Sequence, residues 1–347
     1  MIDRALDLHE RAGELEQEGD LAGAEAACRE ALEIFLLEEG ERSPDVANLR
    51  LDLGRIIDAR GRYAEAEKLA RQAVETIEPL IALFNDDTGK QILVHSLGLL
   101  GTTIREQGRY AEAEPVLQRA VDISSCLGPD QLASSLNNLG VLYKFWGKFD
   151  DGERVYRRAL ELAVESGGQI NPTVATLYHN LGGLDHARGR FAEAEVPARR
   201  AWEIRRVLMG DDSAEAMADG AALAGVLDGL GRYAESRPLY ERALKFFGGL
   251  YGEEHYEIAA NLHNLAGVED AEGNAPKAEA LYRRALAIKE KLLGVEHPDT
   301  ALTAANLGAL VGDRALLERS LGTFERTLDA GHPHIAACRA HLTDKSI

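Results

Sequence analysis

The chain has 347 residues, 45% of them hydrophobic and 28% charged, with a formal net charge of −19. This much apolar material can bury a core and excludes wholesale disorder. The acidic balance would be repelled by a phosphate backbone or an anionic membrane, so no nucleic acid and no membrane are expected among the partners. Cys28, Cys126 and Cys338 lie far apart and form no Cys-x-x-Cys pair, which fits a reducing compartment. No apolar leader opens the sequence and no apolar run nears the ~20 residues that span a bilayer, so the expected location is cytoplasmic.

One phrase recurs along the whole chain: glycine, a variable residue, an aromatic, then a run of Ala and Glu. It reads GDLAGAE from Gly19, GRYAEAE from Gly61 and Gly108, GKFDDGE from Gly147, GRFAEAE from Gly189, GRYAESR from Gly231 and GNAPKAE from Gly273. The intervals are 42, 47, 39, 42, 42 and 42, and a worn copy, GDRALLE, follows from Gly312. A fixed period of this kind marks a stacked array of one supersecondary unit.

Apolar residues recur at helical spacing on both sides of each glycine, as in LNNLGVLYKFW before Gly147 and AEALYRRALAIKEKLLG after Gly273. Each unit is therefore a helix, a turn ended by glycine in the left-handed conformation, and a second helix. In chain order the predicted pairs occupy about 1–42, 43–84, 88–127, 128–169, 170–211, 212–252, 253–295 and 296–331, followed by a capping helix at 332–343. Proline stands near several predicted helix starts, at Ser43-Pro44, Gly128-Pro129, Asn171-Pro172 and His297-Pro298, where a missing amide hydrogen is harmless. The five-residue excess around Phe84 to Thr88 reads as a longer loop or a helix extension. The short interval after it reads as a trimmed turn at Leu127-Gly128-Pro129. A single hairpin cannot bury both apolar faces, so neighbours must stack, and one uninterrupted superhelix over 1–347 is expected.

Segments 258–301 and 133–162 carry the phrase and its flanking helices most fully. They resemble tetratricopeptide repeats of the long 42-residue subtype found in kinesin light chain, and the resemblance extends over essentially the whole chain. It implies an all-α, right-handed solenoid whose first helices line a concave face, and binding of protein segments there. Where the family usually has Tyr, four residues before the glycine, Asp185 and Glu269 stand instead. They are expected to reach solvent at the edge of the groove, since an isolated buried carboxylate is costly.

Nine residues before the glycine, asparagine recurs as Asn138, Asn180 and Asn264, and Asn306 continues the step. Asn is a mediocre helix former, so helix stability does not explain its choice. In related arrays this position holds the ligand main chain, which one carboxamide serves as donor and acceptor; the other reading is a bridge between neighbouring repeats. Helical spacing adds further candidates for the same face: Asn137, Arg55, Arg105, Lys144, His179 and His263. Gly183, Gly225 and Gly267 recur six residues before the phrase glycine, leaving room either for a ligand or for a neighbouring helix. Phe145, beside Trp146, is a candidate aromatic anchor. The dibasic pairs on second helices, such as Arg157-Arg158 and Arg205-Arg206, read as a solvated outer face paired with Glu.

No nucleotide-binding loop, metalloprotease motif or nucleophile elbow is present, so no enzyme activity and no cofactor is expected. His334, Cys338 and His341 share one helical face and are zinc-ligand types, but a capping helix accounts for them and no metal is expected. The pattern therefore predicts a scaffold that binds a protein or peptide segment, with a ligand-responsive regulator as the alternative. Partner identity and oligomeric state are left open.

Overall fold

A computed structural model describes residues 1–84 and 86–343 of the chain. Among them are seventeen α-helices and no strand. The chain folds as two compact units, Met1–Leu142 and Tyr143–Ile347.

The first unit contains α1 (Ile2–Gln17), α2 (Leu21–Glu38), α3 (Pro44–Ala59), α4 (Tyr63–Phe84), α5 (Asp87–Glu106), α6 (Tyr110–Ser124) and most of α7 (Pro129–Trp146). Side chains cap several helix starts, where backbone amides lack partners. Asp20 accepts from the amide of Gly23 (2.9 Å), Ser43 from that of Asp45 (3.1 Å) and Asp86 from that of Gly89 (2.7 Å). Gly61 ends the second hairpin turn at φ +73°, a conformation that β-carbons disfavour. Leu49, Leu53, Ile56 and Ile57 on α3 are at most 2% exposed and pack with Ala24, Cys28, Ala31 and Phe35 of α2.

The excess between the second and third phrases is helix extension. Helix α4 runs 22 residues and α5 runs 20, against 19 and 16 for α10 and α11 of the regular repeats. Asn85 lies outside the described residues. The deficit that follows falls in a helix and not in the turn: α6 has 15 residues, and the joint to α7 is as long as the α8–α9, α10–α11, α12–α13 and α14–α15 joints.

The second unit holds the end of α7, then α8 (Phe149–Gly167), α9 (Pro172–Ala187), α10 (Phe191–Met209), α11 (Ala214–Gly229), α12 (Tyr233–Tyr251), α13 (Tyr256–Ala271), α14 (Ala275–Leu293), α15 (Pro298–Val311), α16 (Arg314–Thr327) and α17 (Pro333–Thr343). Its core runs from Tyr240 and Phe247 on α12 to Ile258, Leu262 and Val268 on α13. Each such side chain removed from water contributes about 1.5–3 kcal/mol. Small residues let the paired helices approach: a β-carbon on Gly182 would lie 3.0 Å from the amide nitrogen of Ala198.

The segment between α16 and α17 turns back to the start of this unit. The amide of Asp329 donates to the Trp146 carbonyl (2.9 Å). His332 is 4% exposed, and its ring lies 5.7 Å from that of Phe149. Gly147 makes room for it, since a β-carbon there would lie 2.6 Å from the imidazole.

Glu269 departs from expectation. Its side chain is 1% exposed and bound to Arg237, to Lys277 (2.7 Å) and to Asn274 (2.9 Å). Burial works to raise its pKa, but these donors outweigh it and hold the group at about 2. Asp185 stays half-buried, its pKa raised by burial and by Glu153. The arginine pairs of the second helices do meet acids, for example Arg157 with Glu153 (2.8 Å). Arg205 is the exception: its side chain is 12% exposed and turns inward to Asp219 (3.5 Å).

Candidate functional site

In the first unit, α3, α5 and α7 enclose a cavity of about 400 Å³ lined by Asp52, Arg55, His95, Thr102, Ser134 and Asn138, among others. These residues stand thirteen, nine or six places before their phrase glycines, so one stripe of each first helix supplies the lining. The stripe is small where space is needed: a β-carbon on Gly98 would lie 3.3 Å from the Asn138 amide nitrogen. Asp52 is the hub of the cavity. It faces His9 Nε2 at 2.9 Å, accepts from Asn48 at 3.4 Å and from Arg55 at 3.3 Å, and its bond to His9 raises the histidine pKa. Arg55 also reaches Glu16 (3.4 Å), so its charge is matched within the unit.

The second unit has a cavity of about 290 Å³ lined by first helices α9, α11, α13 and α15 and by tyrosines from α12 and α14. Asp228, His186, His263, Asn264 and Asn306 supply its polar groups; Phe191, Tyr233, Tyr240 and Tyr282 supply its rings. The Tyr240 hydroxyl donates to Asp228 Oδ2 (2.6 Å). His263 Nδ1 lies 3.0 Å from the Thr303 hydroxyl and its Nε2 lies 3.4 Å from the Asn306 amide nitrogen. Burial, with Lys289 adding to it, pushes the His263 pKa down to about 3. His186 is open to solvent yet enclosed by the surrounding helices, and this enclosure likewise lowers its pKa. Both rings are neutral at neutral pH.

The structure brings Asn138 and Arg55 together in the first cavity and Asn264, Asn306 and His263 in the second. Asn180 is buried at 7% exposure and lines neither cavity. Asn137 is half-buried. His179 is bonded to Asp219 of the next repeat (2.6 Å). Arg105, with 12% of its side chain exposed, pairs with Glu106 and lines neither cavity. Lys144 lies beside Gly183 and over the ring of Phe145 (4.8 Å), and Phe145 is 41% exposed.

His9, His179 and His263 all stand ten residues before their phrase glycines, and each bonds to the first helix of the following repeat. These imidazoles bridge neighbouring repeats, a row the sequence displays, and Asn306 shares one of the bridges through His263 Nε2 (3.4 Å). Of the cavity tyrosines, Tyr240 and Tyr282 lie nine residues after Gly231 and Gly273, a periodic signal that belongs to the second helices and not to the first. Cys338 is buried and donates to the Leu317 carbonyl (3.2 Å). Among the described residues no group of three His, Cys, Asp or Glu side chains could hold a metal ion, and no helix is long and apolar enough to cross a membrane.

A tetratricopeptide repeat family model matches residues 4–78, 93–165, 213–291 and 257–330, and a second one matches 174–215. No curated protein matches the chain. Among solved structures it is similar to BtubC (BKLC) from P. vanneervenii, with 26% identity over 66% of this chain and 91% of that one and a TM-score of 0.53. It is also similar to a Rap protein complexed with competence and sporulation factor, at 14% identity over 98% and 97% of the two chains and a TM-score of 0.61. The Rap conjugation gene regulator of plasmid pLS20, in complex with the Phr* peptide, matches at 18% identity over 81% and 74% with a TM-score of 0.64. At these identities the likeness to the two Rap proteins is one of fold.

Proposed function

Because the chain belongs to the tetratricopeptide repeat family, we propose that it is a non-catalytic scaffold that holds an extended segment of another protein against its first helices. One observation carries this reading: the recurring asparagine position lines a cavity in each unit, through Asn138 in one and Asn264 with Asn306 in the other. Carboxamides pair with any peptide backbone, whatever its sequence. The Rap structures with bound factor or peptide give the same fold a precedent for this use. No enzymatic family is indicated by the matches, which agrees with a scaffold.

The test is isolation of the partner by affinity capture on the intact chain, followed by titration. Losing a buried hydrogen bond costs about 1–3 kcal/mol. Asn264→Ala with Asn306→Ala should therefore weaken binding about tenfold or more, at unchanged helicity. Unchanged affinity, or crosslinks to the partner at the outer arginine pairs, would move the site off this face. A gated, regulatory version of the scaffold is favoured by the return of residues 329–332 to the α7–α8 turn, since that closure is an element a ligand could displace.

A further inference from the structure

Resting on that reading, we infer that the cavity of the second unit receives a basic side chain of the bound segment, an arginine or a lysine, with Asp228 as its counter-charge. The cavity is a single-side-chain receptor in size. Its volume of about 290 Å³ lies at the bottom of the range for small-molecule sites, about 300–1,000 Å³. Its depth comes from glycines on the first helices: a β-carbon at Gly225 would touch the Tyr240 hydroxyl at 3.4 Å, and one at Gly267 the Tyr282 hydroxyl at 3.5 Å. Anything larger would fill the space these two residues leave.

The lining holds one ionised group, the carboxylate of Asp228, and no lysine or arginine. Four aromatic rings surround it, from Phe191, Tyr233, Tyr240 and Tyr282, and ring faces attract a cation. Among the described residues Asp228 Oδ1 is buried without a hydrogen-bond partner, while Oδ2 accepts from Tyr240. The neighbouring Ser236 hydroxyl donates to the Tyr233 carbonyl (3.3 Å) and, like the Tyr240 hydroxyl, lies close enough to Asp228 to favour its carboxylate, but it brings no charge. Arg237, the cation whose charge acts on Asp228, is engaged by Glu269 and Glu272. Burial raises the Asp228 pKa, so the carboxylate gains from an incoming cation as much as the cation gains from it. The two histidines of the lining are neutral at neutral pH and offer no competing charge. A guanidinium or ammonium supplies the missing donor to Asp228 and lies among the rings; an acidic guest would meet the carboxylate with like charge.

The experiment uses a displayed library of random twelve-residue peptides selected on the full chain and, in parallel, on Asp228→Asn. On the wild type, the enriched peptides should share arginine or lysine at one fixed position, and the enrichment should vanish on Asp228→Asn. For the best peptide, replacing that residue by norleucine should lower affinity about tenfold on the wild type and less than twofold on Asp228→Asn. Gly267→Leu, which fills the cavity and leaves the carboxylate in place, should abolish the same preference and guards against a folding defect in the first variant. Enriched peptides with no basic position would overturn this inference and leave the groove reading standing. A basic preference that survives both substitutions would overturn it too. No enrichment at all on a folded chain would take the groove reading down with it.

Discussion

Replacing Glu269 by glutamine should destabilise the second unit more than any change of a surface carboxylate. The wild-type group is 1% exposed and bound by Arg237, Lys277 and Asn274. Its pKa falls from the ordinary 4.5 to about 2. Each tenfold change in proton affinity corresponds to about 1.4 kcal/mol, so the ionised form contributes about 3 kcal/mol at neutral pH. Glutamine keeps the shape, but it turns one acceptor into a donor aimed at donors and removes the charge that attracts Arg237 and Lys277. The sign with pH follows from the depressed pKa. The contribution is complete above 4.5, where the unfolded chain is also ionised, and is lost as pH falls through about 2. Urea melts followed by circular dichroism should therefore show a gap between wild type and Glu269→Gln of about 3 kcal/mol at pH 7, shrinking to about half that at pH 3. Because repeat arrays open locally, hydrogen exchange should rise first in α13 and α14. A gap below about 1 kcal/mol, or one independent of pH, would refute the network as the reason for the buried charge.

Leu139, 2% exposed on α7, should cost about 2–5 kcal/mol as Leu139→Ala through the cavity it leaves, read from the urea midpoint; a shift of under a degree in melting temperature would put the helix register in error. Gly182→Val should cost at least about 1–3 kcal/mol by overpacking, because its β-carbon would meet backbone and not a flexible side chain; a variant as stable as wild type would show that α9 and α10 can part freely. His263 favours its neutral form, with a pKa of about 3 against the ordinary 6.5. The unfolded chain therefore takes up a proton first, and stability should fall as pH drops from 6.5 toward 3. His263→Gln should lose less melting temperature than wild type between pH 7.5 and 4.5; equal losses would contradict the burial assigned to this ring.

The hairpins were legible because a 42-residue period repeats the same apolar spacing and the same glycine in almost every copy. What the period could not rank was how a side chain behaves when its partner comes from another helix. Glu269 looked like a carboxylate bound for solvent because its own helix offers it nothing. Its partners, Arg237, Asn274 and Lys277, stand 32, 5 and 8 residues away on either side. Arg205 looked like one of a solvated pair, but Asp219 of the following repeat draws it inward. The short interval between Gly108 and Gly147 reads in the sequence as a trimmed turn at Leu127-Gly128-Pro129, whereas the missing residues come from α6.

The same limit applies to the site, where the informative positions are those that break the period. Nine residues after the phrase glycine stand Tyr156, Ala198, Tyr240 and Tyr282, and three before it stand Lys144, His186, Asp228 and Asp270. Neither row alone singles out a repeat. Both α11–α12 and α13–α14 carry an aspartate and a tyrosine in these rows; at α11–α12 the two are bonded, and there the small residues Gly225 and Gly267 leave the space open. The period fixes where side chains point, and substitution within it decides what they bind. Selectivity in such an array therefore has to be sought in pairs of rows read together across one hairpin, and that pairing is what assigns the charge preference of the second unit to Asp228.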